Sequence, residues 1–469
     1  MNHESRISNL GGFTLIEALV LLFIFSIISV TFFQTYAVGT RLIIDSKNRL
    51  GATALANQKM EIIRSVDYDT VGTKHWNGSS WQYGIPAGDI LEDETINVNT
   101  TKYTVHTVVQ YVDDSFDGQV GHTPTDAIPN DYKRIRLTVS WGDGEDGRSI
   151  ALFSNVSPNG IETSAGGGVL TINILNSSGA GIAGVDVHIV NSSASIDTTA
   201  QTDSTGNITL PSTPTSSPAG KQNYIITVSK NGYYGTLTYP PYPTSTFDPI
   251  DEHVSIVAGV LNPITIVIDQ DADIALHTKD PFGTSIPSIN FSLIGGRVLG
   301  ITPAAGPTPA SQKYGFSQST NTDASGNKTF ASQSYGQYTL TATDARYQFY
   351  KLDPPETSVN ILAVSPGVNK DTTVVMLDTS IGSAKIQVLN NANNSIVAGA
   401  TVKFANTTLG YDVTQTTDQY GYVYFPAILP ALVSGTYDVT VDAIGFGTYT
   451  ETTSIGSVLK TETIKLYAN

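Results

Sequence analysis

Between Phe13 and Tyr36 the chain runs for 24 residues with one charge, Glu17. As a helix this stretch is about 36 Å long, enough to cross the core of a bilayer. A carboxylate inside such a segment costs roughly 2.5–3.5 kcal/mol near its centre, so it calls for a partner. Past Tyr36 the pattern turns amphipathic. Ile43, Leu50, Ala54 and Ile62 follow one another at spacings of seven, four and eight, roughly one helical face. Arg41, Lys47, Arg49, Lys59 and Arg64 occupy much of the remainder, and no proline interrupts. The pattern predicts one helix over 13–65, greasy in its first half and amphipathic in its second.

The period then changes to two. Tyr103–Val112 is β-rich, and Tyr132–Trp141 alternates, with Ile135, Leu137, Val139 and Trp141 on one face. Gly142–Gly147 reads as a hairpin turn and Ser149–Phe153 as the returning strand. Residues 66–163 are therefore expected to form a head whose antiparallel sheet packs on the amphipathic half of the helix.

Residues 164–469 hold an internal repeat. Thr202-Asp203-Ser204-Thr205-Gly206 recurs as Thr322-Asp323-Ala324-Ser325-Gly326 and as Thr417-Asp418-Gln419-Tyr420-Gly421. Each marker follows a pair of expected strands: Val169–Ile174 with Ile182–Val190, Ile274–Thr278 with Ile286–Ile294, and Ala384–Leu389 with Ile396–Phe404. A tyrosine strand follows it (Tyr224–Val228, Tyr338–Ala342, Tyr437–Val441), and then a closing strand (Ile264–Asp269, Thr372–Asp378, Glu462–Tyr467). Thr-Asp-x-x-Gly supplies an Asx-capable side chain and a φ > 0 residue, which is turn chemistry and not catalysis. Three β-sandwiches are expected, at 164–271, 272–380 and 381–469. The second copy departs from the pattern with a Gly/Pro-rich insertion near Gly295–Ser311.

Composition narrows the function classes. The net charge of −16 disfavours nucleic acid, which needs a basic footprint. There is no cysteine, so disulfides and thiol chemistry are excluded. His3, His75, His106, His122, His188, His253 and His277 are scattered, with no pair at metal-ligand spacing. No nucleophile elbow, Walker loop or dinucleotide fingerprint occurs, so no enzyme and no cofactor are expected. Two acidic groups, Asp269/Asp271/Asp273 and Asp113/Asp114/Asp117, read as solvated loops with a calcium clip as the alternative. Tyr233, Tyr234, Tyr239 and Tyr242 crowd around three prolines, as edge cover or as a binding surface.

Gly12-Phe13-Thr14-Leu15-Ile16-Glu17 resembles the prepilin signal of type IV pilins and type II secretion pseudopilins. In that family a membrane peptidase cuts after the glycine and methylates the new amine. The resemblance implies that residues 1–12 are a leader cut between Gly12 and Phe13, and that Glu17 neutralises the Phe13 amine of a neighbouring subunit in the filament. The segment Leu55–Arg64, and the head with its Asp131-Tyr132-Lys133 and Ser140-Trp141, look like minor pilins. The expected fold is an α+β pilin module followed by three all-β sandwiches. These look like carboxypeptidase-regulatory, transthyretin-like or Cna-B repeats. Some Cna-type domains carry a Lys–Asn isopeptide bond; only the third copy has a lysine in its opening strand, Lys385, without a partner set, so none is expected. The implied partners are other pilin subunits, a prepilin peptidase, the inner membrane before assembly, and a surface glycan or protein ligand. The implied location is first the membrane, single-pass, and then a surface pilus. A secretion pseudopilin and a membrane-tethered surface protein or enzyme with regulatory repeats remain alternatives.

Overall fold

The computed structural model describes residues 15–114, 119, 130–142, 148–158, 167–217, 220–428 and 431–469. Helix α1 spans Leu15–Arg64, 50 residues. From Leu15 to Ile44 no described side chain is buried and about 45 Å of helix stands clear of the rest of the chain, while Asp45 pairs with Arg148 and Asn48 accepts from the Thr101 hydroxyl at 2.9 Å. This stretch is long and apolar enough to cross a membrane. Ser26, Thr31, Thr35 and Thr40 each donate a hydroxyl hydrogen bond to the carbonyl four residues back, at 2.8–2.9 Å. Their polarity is thereby satisfied within the helix, as an apolar solvent requires.

The buried face of α1 is not the expected one. Ala52, Leu55, Ala56, Met60 and Ile63 are buried against the head, while Leu50 is 72% exposed and Ile62 51% exposed. At about 100° per residue, the centre of the buried set lies roughly opposite the Ile43/Leu50/Ala54 stripe. The choice is steric. Helix and sheet approach so closely that a Cβ on Gly51 would fall 2.4 Å from the Tyr103 hydroxyl oxygen, and Ala52 and Ala56 are fully buried beside the larger Leu55, Met60 and Ile63. Tyr103 also donates its hydroxyl to the Asn48 carbonyl at 3.0 Å.

The head sheet is antiparallel throughout, in the order Asp93–Val98, Thr101–Val112, Tyr132–Trp141 and Arg148–Val156. Tyr103, Val105, Val109, Ile135, Leu137, Val139 and Trp141 share one core with the helix face. Lys133 ends the same row. It is 1% exposed, its ammonium donates to the Tyr68 carbonyl at 2.7 Å, and it lies over the Tyr68 and Tyr111 rings. Burial pulls its pKa down to about 8, with Asp69 opposing. The turn expected at 142–147 lies, past Gly142, outside the described residues.

Three sheet pairs follow, each closing on its own core. In each unit the opening and closing strands lie side by side and parallel: Gly168–Leu175 with Leu261–Val267, Ala272–Lys279 with Lys370–Asp378, and Ser383–Asn390 with Leu459–Leu466. The second strand of each unit begins later than the alternation predicts, at Asp186, Asn290 and Thr401. The reason is a left-handed residue just ahead of each, Gly184, Ser288 and Gly399, with φ between 58° and 71°. A regular strand does not pass through that conformation.

The repeat marker is a turn, as its chemistry requires. Asp203, Asp323 and Asp418 each accept two backbone N–H groups through Oδ1 at 2.8–3.0 Å, ahead of Gly206, Gly326 and Gly421 at φ 84°, 79° and 73°. Thr202, Thr322 and Thr417 tie the turn inward, each accepting at 2.9 Å from the backbone N–H of Val185, Ile289 or Ala400. The tyrosine strands bury Tyr224, Tyr338 and Tyr437, whose hydroxyls donate to the carbonyls of Pro214, Ser334 and Val433.

Two outcomes test this packing. Ala56→Leu is expected to overfill the helix–sheet contact and cost about 1–3 kcal/mol, whereas Leu50→Ala should shift stability by under about 0.5 kcal/mol; urea unfolding followed by the buried Trp141 reads both. For Lys133 the folded pKa is below the ordinary 10.5, so between about pH 8 and 10.5 the unfolded chain binds more protons. Head stability should rise with pH across that window, by up to about 3 kcal/mol, and the slope should vanish in Lys133→Met.

Candidate assembly helix and inter-unit seams

Glu17 lies in the first turn of α1, exposed within the clear apolar stretch. Leu15, Ile16, Leu19 and Val20 around it are all more than half exposed. Gly12 and Phe13 lie outside the described residues. The helix therefore presents a continuous apolar surface with one carboxylate near its start, a chemistry suited to lipid or to other helices.

The candidate residues farther along are brought to junctions. The head and the first unit are joined edge to edge. Thr73–Trp76, Trp81–Tyr83 and Ile90–Leu91, expected in the head, complete the sheet formed by Asp186–Asn191, Ile196–Gln201, Ile225–Ser229 and Thr236–Leu237. Tyr83 pairs with Ile196, and Ile85 enters the core of the first unit. Beside this seam Asp197 receives two histidines: His188 Nε2 at 2.6 Å and His75 Nε2 at 3.4 Å, while His75 Nδ1 faces Glu92 at 3.1 Å. His75 and His188 are 113 residues apart, so no local spacing could have paired them.

The insertion at 295–311 is an arm. Asn290–Thr302 and Ser311–Asn321 form a long hairpin, and Asp248–Pro249 of the first unit pairs with its inner strand. Gly300 permits that approach, since a Cβ there would lie 2.1 Å from the Asp248 carbonyl oxygen. Arg297 of the arm pairs with Asp251 at 2.7 Å, both side chains 11% exposed, and also donates to the Val267 carbonyl.

Most of the tyrosine group belongs to this joint. Tyr234 donates its backbone N–H to the Asp269 carbonyl at 3.0 Å, Tyr239 packs edge-on against Phe247, and Tyr242 stays half exposed. The neighbouring aspartates do not converge. The Asp269 carboxylate accepts from the Ser177 N–H at 2.8 Å and that of Asp273 from the Ser332 N–H at 2.9 Å. Asp117 lies outside the described residues. Among the described residues no three His, Asp or Glu side chains are grouped to hold a metal ion.

The second and third units meet face to face. Val374 and Met376 point into the second unit's core, while Val375 and Leu377 of the same strand join Tyr350 and Tyr424 in a separate cluster. The Tyr350 and Tyr424 rings meet tilted at 6.1 Å, and Tyr422 and Phe282 extend the cluster through edge-on contacts at 6.4 and 6.3 Å. Lys385 lies here, its ammonium 4.4 Å from the Tyr422 ring centre and 5.5 Å from that of Tyr350. Its strand neighbours are Tyr424 and Thr461, so no asparagine sits opposite it for an isopeptide bond. Gln419 and Tyr420 of the third unit both donate to the Glu356 carbonyl. A cleft of ≈ 400 Å³ remains along the seam, lined by Phe282, Lys351, Asp418 and Tyr422 among others.

No family model matches this chain, and no curated protein matches it. Solved structures with local likeness include "The Bacillus anthracis TIE protein", at 14% identity and TM-score 0.20, covering 86% of this chain and 73% of that one. A streptococcal ancillary pilin matches at 14% identity and TM-score 0.19, covering 65% of this chain and 99% of that one. BcpA, the major pilin subunit of Bacillus cereus, matches at 11% identity and TM-score 0.16, covering 65% and 100%. Superpositions this partial carry no weight for fold or function.

Tyr424→Ala is expected to remove about 2–4 kcal/mol from the seam between the second and third units. The readout is small-angle scattering of the full chain in detergent: a larger maximum dimension if the aromatic cluster holds the units together, an unchanged one if it does not.

Proposed function

We propose that this chain is a minor type IV pilin-like subunit, cut between Gly12 and Phe13 and carried in or at the tip of a surface filament. The observation that carries the reading is the division of α1. Residues 15–40 are clear and carry one charge, Glu17 at the start, and the face from Ala52 to Ile63 is locked to an antiparallel sheet. A subunit of this kind is held first in the membrane by the apolar half of its helix, and the same half then packs among neighbouring subunits. In lipid a lone amine and a lone carboxylate are each costly, and pairing the Phe13 amine with Glu17 of a neighbour removes both costs together. That pairing gives assembly a register. Three further sheet pairs make a bulky appendage, which suits a low-copy position. They serve for adhesion or for reach, with a surface glycan or protein as ligand.

Mass spectrometry of the N-terminus, from sheared filaments and from membranes, tests the processing. A chain beginning at methylated Phe13 in filaments is expected. A chain beginning at Met1 and found only in membranes overturns the reading. Glu17→Ala should leave the membrane pool intact and lower the filament pool by about tenfold or more, the factor that each 1.4 kcal/mol sets.

A further inference from the structure

The arm has an inner side and an outer side, and only the inner side is occupied. Strand 290–302 takes Gly336–Ala342 and Asp248–Pro249 along its inner edge. The outer edge of strand 311–321 has no strand partner among the described residues. At 11 residues it is the longest edge strand described. None of its residues is buried, and only Tyr314, Phe316 and Thr320 are partly covered. Phe316 leans inward, edge-on to Phe330 and Tyr338 with ring centres at 5.4 and 6.0 Å.

Open edges are an association hazard that folds normally block with charge, proline or bulges. The other edges of seven residues or more are shorter, at seven to nine residues, and each carries charge or proline. Arg148–Val156 opens on an arginine, Leu261–Val267 contains Pro263, Asn207–Thr213 contains Pro211 and a register shift, and Leu459–Leu466 carries Lys460, Glu462 and Lys465. Asn327–Gln333, Tyr347–Asp353 and Tyr449–Ile455 carry Lys328, Lys351 and Glu451. Strand 311–321 has one charge, Lys313, and then eight uninterrupted neutral residues, 314–321.

We propose that this edge pairs with the same strand of a second copy of the chain, antiparallel and centred on Phe316. The strand's own sequence meets itself without a clash of charge in this register. A two-fold axis through Phe316, normal to the sheet, sets residue 316+n opposite residue 316−n of the partner. Parity is kept, so the inward-leaning residues of both copies stay on one face. Lys313 then meets the partner's Ser319, Tyr314 the partner's Gln318, and Gln312 the partner's Thr320. No like charges oppose, and hydroxyl and amide side chains meet across the strand pair. The contact is isologous, so it closes at two copies. It merges two five-stranded sheets and satisfies roughly ten backbone groups that otherwise face water. The inference stands apart from the pilin reading and would hold for any protein that displays this arm.

The test is sedimentation of the full chain in detergent micelles, with charges placed at the exposed position 319. Ser319→Lys sets two like-charged pairs across the axis and should weaken the dimer several-fold to tenfold. Ser319→Glu should tighten it by a similar factor, and Lys313→Glu combined with Ser319→Lys should restore tight pairing. This reciprocal pattern supports the register, because association through the exposed helix does not respond to a charge at 319. A chain that stays monomeric up to about 0.1 mM, or a dimer indifferent to all three variants, overturns the proposal.

Discussion

The contact between one face of α1 and the head sheet is the constraint on which the rest of the molecule depends. Among the described residues it is the packed core through which the helix, and with it the apolar half, is tied to the folded body. Ala52, Leu55, Ala56, Met60 and Ile63 meet a sheet whose core rows are filled by Tyr103, Ile135, Leu137, Val139 and Trp141. Because the contact is narrow and close, the helix leaves the head as a rigid continuation, and the orientation of all later units is set from it. The opposite face keeps Ile43 and Leu50 exposed past the segment needed to cross a membrane. A helix can be apolar on two faces when it has two environments to satisfy, the sheet on one side and lipid or other helices on the other.

The chain has no cysteine, so each later junction must be held by burial, strand pairing and ion pairs. The three junctions use different means. Head and first unit share a sheet through the Tyr83 and Ile196 strands. First and second units are clamped by an arm, with Arg297 and Asp251 nearly buried behind it. Second and third units are pressed together through an aromatic cluster around Tyr350 and Tyr424. A buried ion pair contributes little net stability, because desolvation offsets attraction, but it leaves few alternative arrangements once formed. The body is therefore better described as a set of mutually braced sheets than as a flexible string of domains.

What the sequence disclosed follows from the range over which each signal acts. The helix, the alternating strands and the Thr-Asp-x-x-Gly turns are local, and all were legible. The buried face of α1 was not, because the exposed Ile43, Leu50 and Ile62 dominate a periodicity reading while two of the five contact positions are alanines. Strand starts after Gly184, Ser288 and Gly399 were placed early, since alternation does not register a left-handed residue when it is a serine or an isolated glycine. The seams were invisible for a different reason. His75 and His188 meet across 113 residues, and Asp251 meets Arg297 only because the arm carries it there. The processing residues belong to a third category. Gly12, Phe13 and Glu17 form a local motif, and its meaning lies in a reaction and a neighbour rather than in contacts within one chain.

The arm shows why the insertion looked anomalous. A Gly/Pro-rich stretch between two strands normally reads as a loop, and here the strands on either side simply run longer before turning. The glycines serve the inner strand, where Gly295, Gly296 and Gly300 let the tyrosine strand and the 248–249 segment come close. That requirement leaves the inner strand bulged, while the outer strand stays unbroken from Ser311 to Asn321. Closing the joint between the first two units thus produces the long open edge on the far side of the same hairpin. Its polar composition keeps that edge soluble as a monomer, and the neutral run that follows Lys313 leaves it open to pairing. One insertion accounts for both a brace within the chain and the surface best suited to meet another copy.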